Sequence, residues 1–266
     1  MIPATNSVPS TITSFDGGKI EGSIGKNGVF AAFDWENMIL PPAGSPILEK
    51  AKVDANKRLD GFPYRDHKRL VEKLGHYSDV QSINSEDTVT WSVFGLADHE
   101  TWLNDVLTEV FGPAERPKSW EVKLWSRIPH PLTGQTEHGP ESDVLIQNAE
   151  CRYVVEAKWT ADISVHLHGE NQIEMRAYQA QLGNLSSENC GVIVVVPSPA
   201  RYKAASTAMS TFRRYFEIRD EGYSCLEPAK KLNAKVLTWE RLGQIIGARG
   251  RPKLQAYMHW RLSQIR

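Results

Sequence analysis

The stretch GPESDVLIQNAECRYVVEAKW, residues 139–159, decides how this chain is read. It holds two short apolar runs separated by the polar Asn148-Ala149-Glu150. Runs of that length rich in Val, Ile and Tyr predict two strands joined by a tight turn. Asp143 opens the first strand, and Glu156 and Lys158 sit near the end of the second. Alternate residues of a strand share a face, so Glu156 and Lys158 point the same way. Hairpin pairing brings Asp143 beside them. An ordinary ion pair on a surface hairpin is worth at most about 1 kcal/mol and would not require so apolar a setting. A bound divalent metal and a phosphodiester would account for all three groups.

Outward from the hairpin the pattern stays regular. Asn84 or Ser85 can cap a helix over EDTVTWSVFGLA. HETWLNDVLTEVFG follows as a second helix, stopped by Gly112-Pro113. EVKLWSRI, residues 121–128, reads as a strand. Beyond the hairpin, ENQIEMRAYQAQLGN reads as an amphipathic helix. GVIVVVPSP reads as a strand buried on both faces. ARYKAASTAMSTFRRYFEIRDEG reads as a long helix, KVLTW as a short strand and ERLGQIIGAR as a closing helix. This order predicts an α/β fold with a mixed sheet, an antiparallel hairpin plus a strand that returns after a crossover helix. Residues 1–80 read as an N-terminal accessory region, 81–248 as the core and 249–266 as a basic C-terminal helix. Within the first region, GKIEGS and GVFAAFDW predict short strands about the Asn27-Gly28 turn. PILEKAKVDANKRL and RDHKRLVEKLGH predict helices.

An Asp, a dozen residues, and then Glu-x-Lys on a second strand resembles the PD-(D/E)xK nuclease superfamily, and so does the element order around it. The resemblance covers roughly residues 85–200 and leaves residues 1–80 outside. Pro140 stands three residues before Asp143 rather than next to it, a departure at a position where that superfamily is loose. Asp/Glu-x-Lys alone is a weak signal, because it also occurs at Asp66-His67-Lys68 and Glu121-Val122-Lys123. Only Glu156-Ala157-Lys158 has an apolar strand beneath it and an Asp at the start of the preceding strand.

The resemblance implies a restriction-endonuclease-like fold and a Mg²⁺-dependent deoxyribonuclease, with Mn²⁺ able to substitute. Double-stranded DNA is the implied partner, and defence against foreign DNA the implied setting. Mg²⁺ takes oxygen ligands, one or two of them protein carboxylates. Asp143 and Glu156 would supply these, with the Ala157 carbonyl as a further ligand that the resemblance implies. Lys158 would hold the attacking water and offset growing negative charge. Many members add an acid from the helix before the sheet. Glu86 is the preferred candidate, with Asp87 and Glu100 behind it; acids in a first turn also stabilise a helix dipole with no other role. Related nucleases often carry a Gln on the helix after the hairpin, which points to Gln172. Arg176, one turn on, shares its face and would clamp a phosphate bidentately, and Gln179 lies on the same helix. Such enzymes often dimerise to cut both strands, which makes a homodimer a further expected partner.

Two rival readings share these residues. One is a catalytically inactive nucleic-acid-binding module with the same fold. The other is a hydrolase using Asp143 and Glu156 as an acid/base pair on a non-phosphate substrate, which the adjacent Lys158 disfavours.

Composition bounds the rest. With 266 residues and a net charge of −1, the chain as a whole is no electrostatic match for nucleic acid, so binding must come from local patches. After Glu240 there is no acid, and Arg249, Arg251 and Lys253 in RGRPK resemble a phosphate-contacting loop. Leu254, Met258, Leu262 and Ile265 would dock the last helix. Arg213 and Arg214 offer a further basic patch. His166 and His168 fit a polar loop better than a zinc site. The tryptophans, Trp125 among them, fit core packing better than base stacking. Cys151, Cys190 and Cys225 are odd in number and far apart, which argues for a reducing compartment. No apolar run approaches the roughly 20 residues that span a bilayer, and the N-terminus lacks signal-peptide features, so no membrane partner and a cytoplasmic location are expected.

Overall fold

A computed structural model of the chain describes residues 8–25, 28–33, 35–40, 82–95, 97–117, 119–131, 133–136, 139–159, 172–182, 185–186, 189–198 and 234–265. The predicted helices over residues 46–76 and 200–222, the His166/His168 pair and Arg213/Arg214 lie outside them. Two compact units are present. One comprises residues 1–93 with 252–266, the other residues 94–251.

The first unit carries a three-stranded antiparallel sheet of β1 (Val8–Thr13), β2 (Lys19–Ile24) and β3 (Phe30–Ala32). β2 and β3 are the two expected strands. β1 was not anticipated, and it is an edge strand of mostly exposed small and polar residues. Helix α1 (Glu86–Phe94) begins where Ser85 Oγ accepts the Thr88 amide at 3.2 Å, the expected cap. The C-terminal helix, here α5 (Pro252–Ser263), belongs to this unit. It docks through Tyr257, Met258, Trp260, Arg261 and Leu262. Tyr257 donates its hydroxyl to the Met38 carbonyl at 2.8 Å, and Trp260 its indole N–H to the Thr13 carbonyl at 2.8 Å. Arg261 of this basic helix is fully buried and donates to the Ser85 carbonyl and Thr88 Oγ1, both at 2.9 Å.

The second unit is the expected α/β core with a mixed sheet. Its five strands are β4 (Glu121–Arg127), β5 (Glu141–Gln147), β6 (Arg152–Ala157), β7 (Cys190–Val196) and β8 (Ala234–Thr238), paired in that order. β4, β5 and β6 run antiparallel; β7 and β8 join parallel to β6. The opening hairpin closes through Asn148, whose Oδ1 accepts the Glu150 and Cys151 amides at 2.8 and 2.6 Å. This Asx turn is the tight turn that the polar break implied. β7 is buried along its whole length, as a continuous apolar run requires.

Among the described residues three helices flank the sheet: α2 (Trp102–Phe111), α3 (Gln172–Gln181) and α4 (Trp239–Ala248). α2 ends at Gly112, which takes φ 88° and sends its amide to Thr108 O at 2.9 Å. α4 is capped by Thr238, whose hydroxyl accepts the Arg241 amide. α3 packs Ile173, Met175, Ala177 and Ala180 onto Leu145, Val154, Val192, Val194 and Val196. That apolar face extends directly into the candidate site.

Gly139 fixes the entry to β5. A Cβ there would lie 1.7 Å from the Ile128 carbonyl oxygen, a backbone atom of the neighbouring strand end. Gly139→Ala should therefore destabilise this unit by about 1–3 kcal/mol, read as a lowered urea midpoint with unchanged slope.

Candidate functional site

The β5–β6 register ends at Val144 opposite Val155. One step further it sets Asp143 opposite Glu156, so the two side chains share a face with Lys158. It is also the face that α3 covers, because Leu145 and Val154 on it pack against that helix. Sequence reasoning placed these three groups together, and the register does so too.

At Asp143 the sheet opens on both sides. The pairing with β6 stops one residue earlier, and the β4–β5 pairing skips the position where Asp143 faces Trp125. Trp125 has φ 51°, in the left-handed region that bulky residues rarely enter. Such a conformation costs of the order of 1–3 kcal/mol and persists only where surrounding packing imposes it. Gln179 of α3 supplies part of that packing. Its Nε2 donates to the Ser126 carbonyl at 3.0 Å and to Ser142 Oγ at 3.1 Å, bracketing the break. The parted strands leave the Ala157 amide facing β5, since the next amide, Lys158 N–H, turns the other way to Val195 O at 2.8 Å. Asp143 Oδ2 accepts the Ala157 amide at 2.7 Å. The Ala157 carbonyl lies on the same edge of the strand as its amide, the edge toward β5.

Glu156, Lys158 and Arg176 are 1%, 5% and 4% exposed. The carboxylate of Glu156 holds one cation on each oxygen: Lys158 Nζ lies 2.6 Å from Oε1 and Arg176 Nε 2.5 Å from Oε2. Burial pushes the Glu156 carboxyl up, but Arg176 and Lys158 together outweigh it and hold the group below the usual carboxylate range. Arg176 Nη1 is buried and has no hydrogen-bond partner. With Asp143 included, two carboxylates meet two cations and the formal charges cancel. The backbone at Lys158 is held as well, because its carbonyl accepts the Trp239 indole N–H at 3.0 Å and Trp159 packs edge-on against Trp239.

The remaining candidates fall in different places. Gln172 opens α3 and is half-buried, one turn before Arg176. Arg176 is inside the site and bound to Glu156, rather than on a solvated face. Glu86 and Asp87 occupy the first turn of α1, in the other unit. Glu100 pairs with Arg251 at 2.8 Å, Asp105 with Arg249 and Glu109 with Arg241. The two arginines of the expected phosphate-contacting loop are thus already matched to carboxylates at the surface, which cancels much of their pull on DNA. Lys253 is exposed and belongs to the first unit. Sequence reasoning missed Trp125 as part of this arrangement, and no residue pattern marks a left-handed tryptophan within a strand.

A donor set of Asp143, Glu156 and the Ala157 carbonyl is all oxygen, which suits Mg²⁺ or Mn²⁺ and not zinc. Among the described residues no cluster of three or more His, Cys, Asp or Glu side chains could hold a metal ion. Mg²⁺ needs only one or two protein carboxylates, so the pair fits it. Among those residues, too, no helix is long and apolar enough to cross a membrane. No family model, curated protein or solved structure matches the chain.

Proposed function

We propose that the chain is a Mg²⁺-dependent nuclease that hydrolyses phosphodiester bonds in DNA on a restriction-endonuclease-like core. The observation that supports it best is the hairpin register. It sets Asp143 opposite Glu156, with Lys158 on the same face, where β5 parts from β6 and its pairing with β4 skips one position. In this reading Asp143, Glu156 and the Ala157 carbonyl hold the metal. When bound, the cation acts as a Lewis acid on the phosphate and makes water a stronger acid. Asp143 keeps the β6 end in place through the Ala157 amide. Lys158 presents an ammonium beside the attacked phosphorus, orients the water and offsets charge on the phosphate oxygens. Gln179 and the Trp125 kink keep the strands parted so that a phosphate can approach.

One observation favours the rival reading of an inactive nucleic-acid-binding module: both Glu156 oxygens are engaged by Lys158 and Arg176. Incubation with supercoiled plasmid separates the two. The nuclease reading expects nicking or linearisation with Mg²⁺ or Mn²⁺, none with chelator, and none with Asp143→Asn. A protein that retains DNA but never cuts it under any divalent cation would be the inactive module.

A further inference from the structure

The inner site holds two cations against one inner carboxylate, and that ratio is unexplained by the nuclease reading as it stands. A metal taking Glu156 meets a carboxylate already bonded on both oxygens. Lys158 has its task beside the water. Arg176 has none that requires it to bind Glu156, and its guanidinium is 4% exposed with Nη1 unpartnered. An arginine cannot escape burial by losing its proton, so it needs a counter-charge. Glu156 is the carboxylate found paired with it.

Resting on the nuclease reading of this site, we propose that Arg176 is the resident counter-ion of Glu156, which the divalent cation must displace before the site is loaded. The site thereby sets its own threshold for metal. Without metal, Arg176 and Lys158 neutralise the buried Glu156 carboxylate. With metal, the Glu156 oxygen nearest Arg176 turns to the cation, and the guanidinium, whose Nη1 already lacks a partner, is freed to take a phosphate oxygen. α3 carries Arg176 on a rigid, apolar-packed helix, so the exchange needs only side-chain rotation. Arg176 is on this account a positioning residue that regulates metal loading.

The sign of the effect distinguishes this from a structural role. Removing a cation from a metal site raises affinity for the metal, whereas removing a structural brace lowers it. The test is Mg²⁺ and Mn²⁺ binding to the full chain by isothermal calorimetry, for wild type, Arg176→Met, Arg176→Lys and Asp143→Asn. Arg176→Met should bind about tenfold tighter or more. Arg176→Lys, which keeps the charge, should stay close to wild type, and Asp143→Asn should lose binding. A second readout needs no destabilised variant: the ¹⁵N resonance of the Arg176 Nε–H, assigned by its loss in Arg176→Lys, should shift and exchange faster as Mg²⁺ is added to wild type. If Asp143→Asn abolishes binding but Arg176→Met binds no tighter and the Nε resonance stays put, the exchange is wrong and the metal site stands. If no protein binds either cation, the exchange and the nuclease reading fall together.

Discussion

Glu156→Leu should cost the 94–251 unit about 3–5 kcal/mol, which can exceed half the total stability of an ordinary domain. The cause is not the lost carboxylate but what it leaves behind. Lys158 and Arg176 are each no more than 5% exposed, and Glu156 is the carboxylate both are paired with. Two buried cations would then lose the carboxylate that bridges them, a costly arrangement. Urea unfolding, with amide exchange at Val154 and Val155 to localise it, measures the loss. The triple variant Glu156→Leu, Lys158→Met, Arg176→Met should recover most of it, because apolar groups of like volume replace a buried ion cluster at little or no cost. A triple variant as unstable as the single one would show that packing, not charge, sets the effect. Acid should mimic the single change. The Glu156 carboxyl is held below its ordinary value near 4.3, so its contribution is complete above that pH and is lost as pH falls through the lowered folded value. The triple variant should lack this acid-sensitive component.

That recovery would also explain why the residues are unusual. A cluster that can be replaced without loss of stability is not there for stability, and a hairpin this apolar has no other need of three charges. The sequence announced this part clearly. Strand periodicity is two, so Glu-x-Lys on an apolar strand commits both side chains to one face, and the Asx turn at Asn148 fixes the register that adds Asp143. The order of elements along the chain was equally legible, since VIVVV reads as a doubly buried strand and the Gly112-Pro113 signal ended α2. What stayed hidden depends on tertiary detail. Arg176 on an amphipathic helix looks the same whether its tip reaches water or a buried carboxylate. Arg249 and Arg251 read as a free basic loop because their partners, Asp105 and Glu100, are more than a hundred residues away in sequence. The left-handed backbone of Trp125 sits at a one-residue gap in the β4–β5 pairing beside Gln179, a tertiary setting that no local pattern records.

Lys158→Met should lower DNA cleavage by about 10²–10³-fold, the usual loss when one group stabilising developing charge is removed, while leaving the fold in place. The two outcomes separate because the site has a second cation. With Lys158 gone, Glu156 keeps its bond to Arg176, so the buried carboxylate still meets a cation. The backbone contacts of Lys158, its amide to Val195 O and its carbonyl to the Trp239 indole, do not depend on its side chain. A stability change of about 1 kcal/mol or less is therefore expected, near that of losing an ordinary hydrogen bond. Metal affinity should rise, since a positive charge has left the ligand set. Tight metal, an intact fold and lost turnover together would assign Lys158 to the chemical step; the measurement is nicking rate against Mg²⁺ concentration beside a melting curve. A variant that cuts at the wild-type rate would make Lys158 a structural partner of Glu156 and leave the hairpin as a buried ion cluster without chemistry.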